Sequence, residues 1–251
     1  VGTAEKGFLS LELVAHGQGG HAARPSQDLA IERLSNAILK VLKNPFVSDF
    51  DAIQQEKFKV LMPMLPFKDR AMLANLWLTG SMVRGGFEAA PDRAAVLHTT
   101  ISPTILNAGI KENVIPPTAT GVINFRLHQR DTIASVTKHV RDAIGDSKVD
   151  VNAREETLSE ATKIVSVNDP AYLYLTKAIQ AEFGMPSAPE LMTGATDSRH
   201  YLALADAVLR FRPFRTELED LPRVHGTDER VAVADLGRAA GFYMRLMQDL
   251  K

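Results

Sequence analysis

Three polar clusters at the ends of predicted strands carry the side chains best suited to chemistry. The first is Gly19-Gly20-His21-Ala22-Ala23-Arg24-Pro25. An imidazole beyond a glycine turn can exchange a proton near neutral pH; taken alone, His21 reads as a helix cap or a surface residue more than as a catalyst. The glycines do not make a phosphate loop, because the GxxxxGK[ST] pattern is absent. The second cluster is Asn113-Val114-Ile115-Pro116-Pro117, with Arg126 thirteen residues after Asn113 and on one strand face with Asn124. Arg126 either pairs with Glu12 across the sheet or joins Asn113 in holding a carboxylate, which a guanidinium fork grips in bidentate fashion. The third comprises Thr193-Gly194-Ala195-Thr196-Asp197-Ser198-Arg199-His200-Tyr201 and Arg223-Val224-His225-Gly226-Thr227-Asp228-Glu229-Arg230. One histidine does not make a zinc site, since zinc takes three or four protein ligands, and His225 alone reads as structural. Glu155-Glu156, beside Arg154, reads as a solvated strand end.

Composition narrows the classes these clusters can serve. The 251 residues hold 29 Lys+Arg against 30 Asp+Glu, a formal charge of −1, which argues against nucleic acid or an anionic membrane as the main partner. At 45% apolar and 24% charged, the chain is of ordinary globular composition. With no cysteine, any metal must be held by His, Asp or Glu. No apolar run approaches the ~20 residues that span a bilayer. The chain opens on Val1 with a strand-like segment almost at once, and is read as lacking its beginning.

The elements that must position the clusters follow from periodicity. Leu9, Leu11 and Leu13 alternate with Ser10 and Glu12 in a half-buried strand over Phe8–His16. Ile31, Leu34, Ile38 and Val41 mark a helix ending near Asn44-Pro45. Strands are predicted at Val96–Ala108 and Thr118–Leu127. A helix with Ile133, Val136, Val140 and Ile144, capped by Asp131, and a strand at Val149–Ala153 come next. With residues 45–95 set aside as an insertion, the order is βαββαβ, the ferredoxin-like arrangement of one sheet with two helices on one face. The insertion holds Met62, Met64, Met72 and Met82, half of the eight methionines. It reads as short helices packed on the sheet with Met and Phe in their core, or as an adaptable wall for an apolar ligand. Beyond Ser159 a helix follows Asn168-Asp169-Pro170 and stops at Gly184, and a short strand lies near Leu191. A helix at Ser198–Leu204, a strand at Val208–Phe211 and a final helix striped by Val233, Leu236, Ala240, Tyr243, Met247 and Leu250 complete the chain. This region looks like the second half of an α/β domain.

At its polar clusters the chain resembles the dinuclear-zinc metallopeptidase family of aminoacylase, acetylornithine deacetylase and glutamate carboxypeptidase, most of all its Gly-X carboxypeptidase and N-fatty-acyl-amino-acid hydrolase branch. The resemblance is carried by Ala4-Glu5-Lys6-Gly7, Gly20-His21-Ala22, Asn113 to Pro117, Asn124-Phe125-Arg126, Thr196 to Tyr201, Phe211-Arg212-Pro213 and His225 to Arg230. It implies a lid and dimerisation domain over residues 7–158 and the C-terminal portion of a catalytic domain over 159–251. It implies that His21 reaches the partner subunit's site as an oxyanion donor, and that Asn113 and Arg126 hold the substrate's carbonyl and carboxylate. By the same resemblance Gly194, Thr196 and Asp197 line the carboxylate end, and His225 is one ligand of a site holding two zinc ions. The implied reaction is hydrolysis, or the reverse condensation, of the amide in an N-acyl amino acid or peptide by a zinc-bound water that a glutamate deprotonates. The family's other metal ligands and its general base have no counterpart in this sequence, so the isolated chain is expected to be inactive. The alternative expectation is a non-catalytic dimerisation or amino-acid-binding module.

Overall fold

A computed structural model describes residues 1–155, 158–215, 218–224 and 226–248. Ten residues from Gly7 to His16 form β2, whose side chains alternate between buried and partly exposed. On either side it pairs antiparallel with β6 (Thr118–Leu127) and β7 (Val149–Ala153), and β4 (Thr100–Ala108) adds the far edge beyond β6. The sheet order β4-β6-β2-β7, with α1 (Ala30–Leu42) and α6 (Ile133–Ile144) in the crossovers, is the ferredoxin-like arrangement expected from the sequence. Leu9, Leu11, Leu13, Ile123, Phe125 and Leu127 face Leu34, Val41, Val136 and Val140 in one core. At α6 the cap is Thr132, in a reciprocal capping box with Ser135. Asp131, the cap expected from sequence, instead accepts a hydrogen bond from the Thr99 hydroxyl.

The insertion is helical, as expected: α2 (Ala52–Leu61), α3 (Phe67–Ala74), α4 (Leu76–Glu88) and α5 (Pro91–Ala94). Its packing differs from expectation. Phe50, Ile53, Phe58, Val83, Val96 and Leu97 close a core with Ala4 and Leu191, separate from the core of the four-stranded sheet. Those two residues belong to a second, two-stranded parallel sheet of β1 (Gly2–Glu5) and β8 (Glu190–Met192). The strand expected from Val96 begins at Thr100 because residues 94–97 finish a helical turn.

Only Lys6 separates β1 from β2, and it is 2% exposed. Its ammonium donates to the Ala95 and His98 carbonyls at 2.8 and 2.7 Å, tying the insertion to the junction between the two strands. Burial, and then the nearby Arg126 charge, pull the Lys6 pKa down to about 7 against the opposing pull of Asp131. The chain returns to this junction where Ser159 bridges Phe8 and the Thr162 amide donates to the Glu5 carbonyl at 2.9 Å.

In the C-terminal region α7 (Pro170–Phe183) has Asp169 as its cap and Gly184, at φ 66°, as its stop, as the sequence predicts. It packs on α8 (Val233–Gln248) through Phe183 and Phe242, with Phe211 alongside. The stripe expected to bury α8 faces outward instead, with Val233 and Met247 83% and 65% exposed, and Leu250 lies outside the described residues. Apolar residues surround most of this helix, and contact with α7 selects the face of Ala239 and Phe242. In place of a strand at Val208–Phe211, Arg210 makes a single bridge to Gly2, and Ser198–Leu204 contributes only the 3-10 turn Asp197–Tyr201. Among the described residues no helix is long and apolar enough to cross a membrane.

Candidate functional site

The candidate residues fall into two groups at opposite ends of the four-stranded sheet. At the outer end, the turn after β2 is held tight by Gly17, where a Cβ would lie 2.4 Å from the Ala30 amide nitrogen. It leads into β3 (Gly20–His21), which pairs with β5 (Val114–Ile115), a two-residue ladder that periodicity cannot reveal. This ladder brings His21 beside Asn113, whose carbonyl accepts the Ala22 amide at 3.1 Å. His21 is exposed, and its Nδ1 accepts the Ala23 amide at 3.1 Å. That bond places the neutral ring's proton on Nε2, leaving an N–H donor directed away from the turn. Asp28 anchors the far end of the loop: its carboxylate takes Lys148 Nζ at 2.6 Å and Arg33 Nη2 at 2.5 Å, and its carbonyl takes the Gln18 amide. The Lys148 and then the Arg33 hydrogen bonds hold the Asp28 carboxyl below its usual range.

Arg126 lies eight positions along β6 from Thr118, about 27 Å at ~3.4 Å per residue. Asn113 and Arg126 therefore do not converge within one chain, contrary to the carboxylate clamp considered from their spacing. Most of the twelve residues between them are extended strand. The Arg126–Glu12 pair does not form either. Arg126 is opposite Phe8, with its guanidinium carbon 4.4 Å from the ring centroid, and Glu12 is opposite Val122. Burial draws the Arg126 pKa down while Glu5 opposes it, and no salt bridge reaches Arg126 among the described residues.

At this inner end Glu5, 3% exposed, collects donors from sequence nearly two hundred residues away. The Thr196 amide donates to Oε1 at 2.9 Å. The Thr196 hydroxyl, the Ser198 hydroxyl at 3.0 Å and Arg210 Nε at 3.2 Å all donate to Oε2. Burial alone would raise the Glu5 carboxyl, but these bonds outweigh it and hold it below its usual value. Thr196 thus turns its hydroxyl toward Glu5, while Gly194 and Asp197 remain exposed on the loop. Glu5 and Arg210 carry no role in the sequence reading. The available signal was a charged Glu-Lys pair at a junction between apolar strands. His200 is exposed beside Arg199, and His225 lies outside the described residues. Among the described residues no three His, Asp or Glu side chains come together to hold a metal ion.

Residues 3–152 match the family described as Peptidase dimerisation domain. The N-fatty-acyl-amino acid synthase/hydrolase PM20D1 of Xenopus tropicalis is 35% identical across 99% of this chain and 49% of its own length. A probable carboxypeptidase S-like 2 of Dictyostelium discoideum is 32% identical over 99% and 48%. The chain spans about half the length of the curated relatives it matches. In structure it is similar to the aminopeptidase PepT of Bacillus cereus, with TM-score 0.61, 13% identity, and 98% and 52% of the two chains covered. The M20 family metallo-carboxypeptidase Sso-CP2 of Sulfolobus solfataricus gives 0.57, 14%, 98% and 59%. At these identities the structural likeness speaks for the fold.

Proposed function

This chain belongs to the peptidase dimerisation-domain family, and on that premise we propose that it is the lid and part of the catalytic domain of a longer, metal-dependent amidohydrolase. Its substrates are N-acyl amino acids or peptides with a free C-terminal carboxylate, cleaved in the manner of a carboxypeptidase or aminoacylase. The observation that carries this reading is the separation of His21 and Asn113 from Arg126 and the Gly194–Asp197 loop. Groups that far apart serve one small substrate only if two chains contribute.

In the proposed dimer, Arg126 of one protomer holds the substrate carboxylate beside its own Gly194–Asp197 loop. His21 and Asn113 of the partner reach the scissile carbonyl, and His21 Nε2–H donates to the oxyanion as it forms. The pairing surface is the exposed edge of β4, where Ile105 and Leu106 are 43% and 64% exposed on a strand bonded on one side. The described residues do not fit a zinc site by themselves. His225 is a single ligand by resemblance, and we assign the remaining ligands and the general base to sequence outside these residues.

The test is release of free amino acid from N-acyl amino acids by the longer protein. Turnover that a chelator abolishes and zinc restores is expected. The purified 251-residue chain is expected to show no turnover and to retain no stoichiometric zinc after dialysis against a chelator. Absence of hydrolysis by the zinc-replete longer protein, across N-acyl amino acids and peptides, overturns the reading and leaves a dimerisation or binding module.

A further inference from the structure

A carboxylate as buried as Glu5 is stable only if donors replace its lost water. Its donors are not drawn from its own neighbourhood. Two hydroxyls and one amide come from the Thr196–Ser198 segment, and the fourth donor is Arg210, which also reaches the Val208 carbonyl at 2.9 Å. Glu5 ends β1 opposite Met192 of β8, so the 193–198 segment must fold back to reach it. Two residues further on, Gly7 and Phe8 pair with Leu127 and Arg126. One side chain therefore ties the loop to the chain two and three residues before the pairs Gly7–Leu127 and Phe8–Arg126.

We propose that Glu5 is a positioning residue for carboxylate recognition, fixing the Gly194–Ser198 loop at the end of the lid sheet where Arg126 projects. The inference rests on the proposed role of Arg126 as the carboxylate anchor. Glu5 touches no substrate. With its charge taken up by Thr196, Ser198 and Arg210, it does not form a salt bridge with Arg126, whose guanidinium stays available to an anionic ligand.

The experiment compares the longer protein with its Glu5→Gln and Ser198→Ala variants on an N-acyl amino acid and on the same compound as its C-terminal amide. KM for the acid is expected to rise about tenfold in Glu5→Gln and about threefold in Ser198→Ala, with kcat within about twofold. The preference for acid over amide narrows in step. The double variant is expected to match Glu5→Gln, because the Ser198 hydroxyl no longer has its carboxylate partner. Ser198→Ala is mild enough to stay folded should Glu5→Gln not. Hydrogen exchange at the Thr196 amide, measured on the same proteins, is expected to quicken in both variants. Unchanged exchange overturns the proposal, as does a wild-type acid preference that survives Ser198→Ala. A wild-type protein that hydrolyses acid and amide equally overturns the role of Arg126 as well, and Arg126→Ala, expected to lose the preference entirely, separates the two failures.

Discussion

Asp51 and His128 face each other across the seam between the helical insertion and the end of the four-stranded sheet, Oδ2 to Nε2 at 3.1 Å, with the imidazole 1% exposed. The Arg130 amide donates to His128 Nδ1 at 3.3 Å, which leaves Nε2 as the ring's donor toward the carboxylate. Burial pushes the Asp51 carboxyl up, but His128 and the Gln54 and Ile53 amides outweigh it and hold it below the usual value. A carboxyl lowered in the folded state stabilises above its unfolded pKa, ~3.9, and that contribution is lost as pH falls through the lower folded value. Asp51→Asn keeps an oxygen to cap α2 while removing the charge. It is expected to cost about 1–3 kcal/mol at pH 7 and to lose less further stability than wild type between pH 4 and 2. Denaturant unfolding across that range checks it, and parallel acid limbs would refute the role of the pair.

One helical turn away, Gln54 is fully buried, and neither atom of its side-chain amide finds a partner among the described residues. Replacing an unsatisfied buried amide by an apolar group of similar shape removes a desolvation cost of about 1–3 kcal/mol. Gln54→Met is therefore expected to raise the melting temperature. A fall in Tm would mean that an ordered water satisfies the amide.

The ferredoxin-like sheet was legible because its strands bury one face, so period two is written plainly at Leu9, Leu11 and Leu13, and its helices bury one stripe, as at Leu34 and Val41. The insertion was legible as helices but not in its placement, since Phe50 and Phe58 look alike whichever sheet they cover. Of the candidate site, His21 beside Asn113 depends on a ladder two residues long, and the distance from Asn113 to Arg126 follows from β6 being extended over its ten residues. The Glu5 network was invisible because its donors arrive from Thr196, Ser198 and Arg210, which no local pattern links to β1.

The insertion also bears on acyl-chain preference. Met72 packs against the insertion's core, whereas Met62 and Phe67 border an open groove of about 450 Å³ with Pro63, Arg70, Ala71 and Ala74. If this groove receives the acyl chain, kcat/KM in the longer protein rises from N-acetyl through N-octanoyl to N-oleoyl substrates, each buried CH₂ adding about 0.8 kcal/mol. Phe67→Ala is then expected to lower the value for N-oleoyl substrates and leave N-acetyl unchanged. A flat profile with chain length, or equal losses on both substrates, would leave the insertion a packing element alone.

The distance between His21 and Arg126 makes subunit sharing testable by complementation. In the longer protein, His21→Ala and Arg126→Ala homodimers are each expected to be nearly inactive, the first through loss of an oxyanion donor worth ~10²–10³ in kcat. Mixed under conditions that exchange subunits, they form a heterodimer in which one site combines Arg126 of the first chain with His21 of the second. The other site lacks both. With random exchange half the dimers are mixed and one of their two sites is competent, so activity returns to roughly a quarter of wild type. Native mass spectrometry establishes that exchange has occurred. Exchange without recovery would mean that His21 and Arg126 do not complete one site across the dimer, and the two-chain reading would fall.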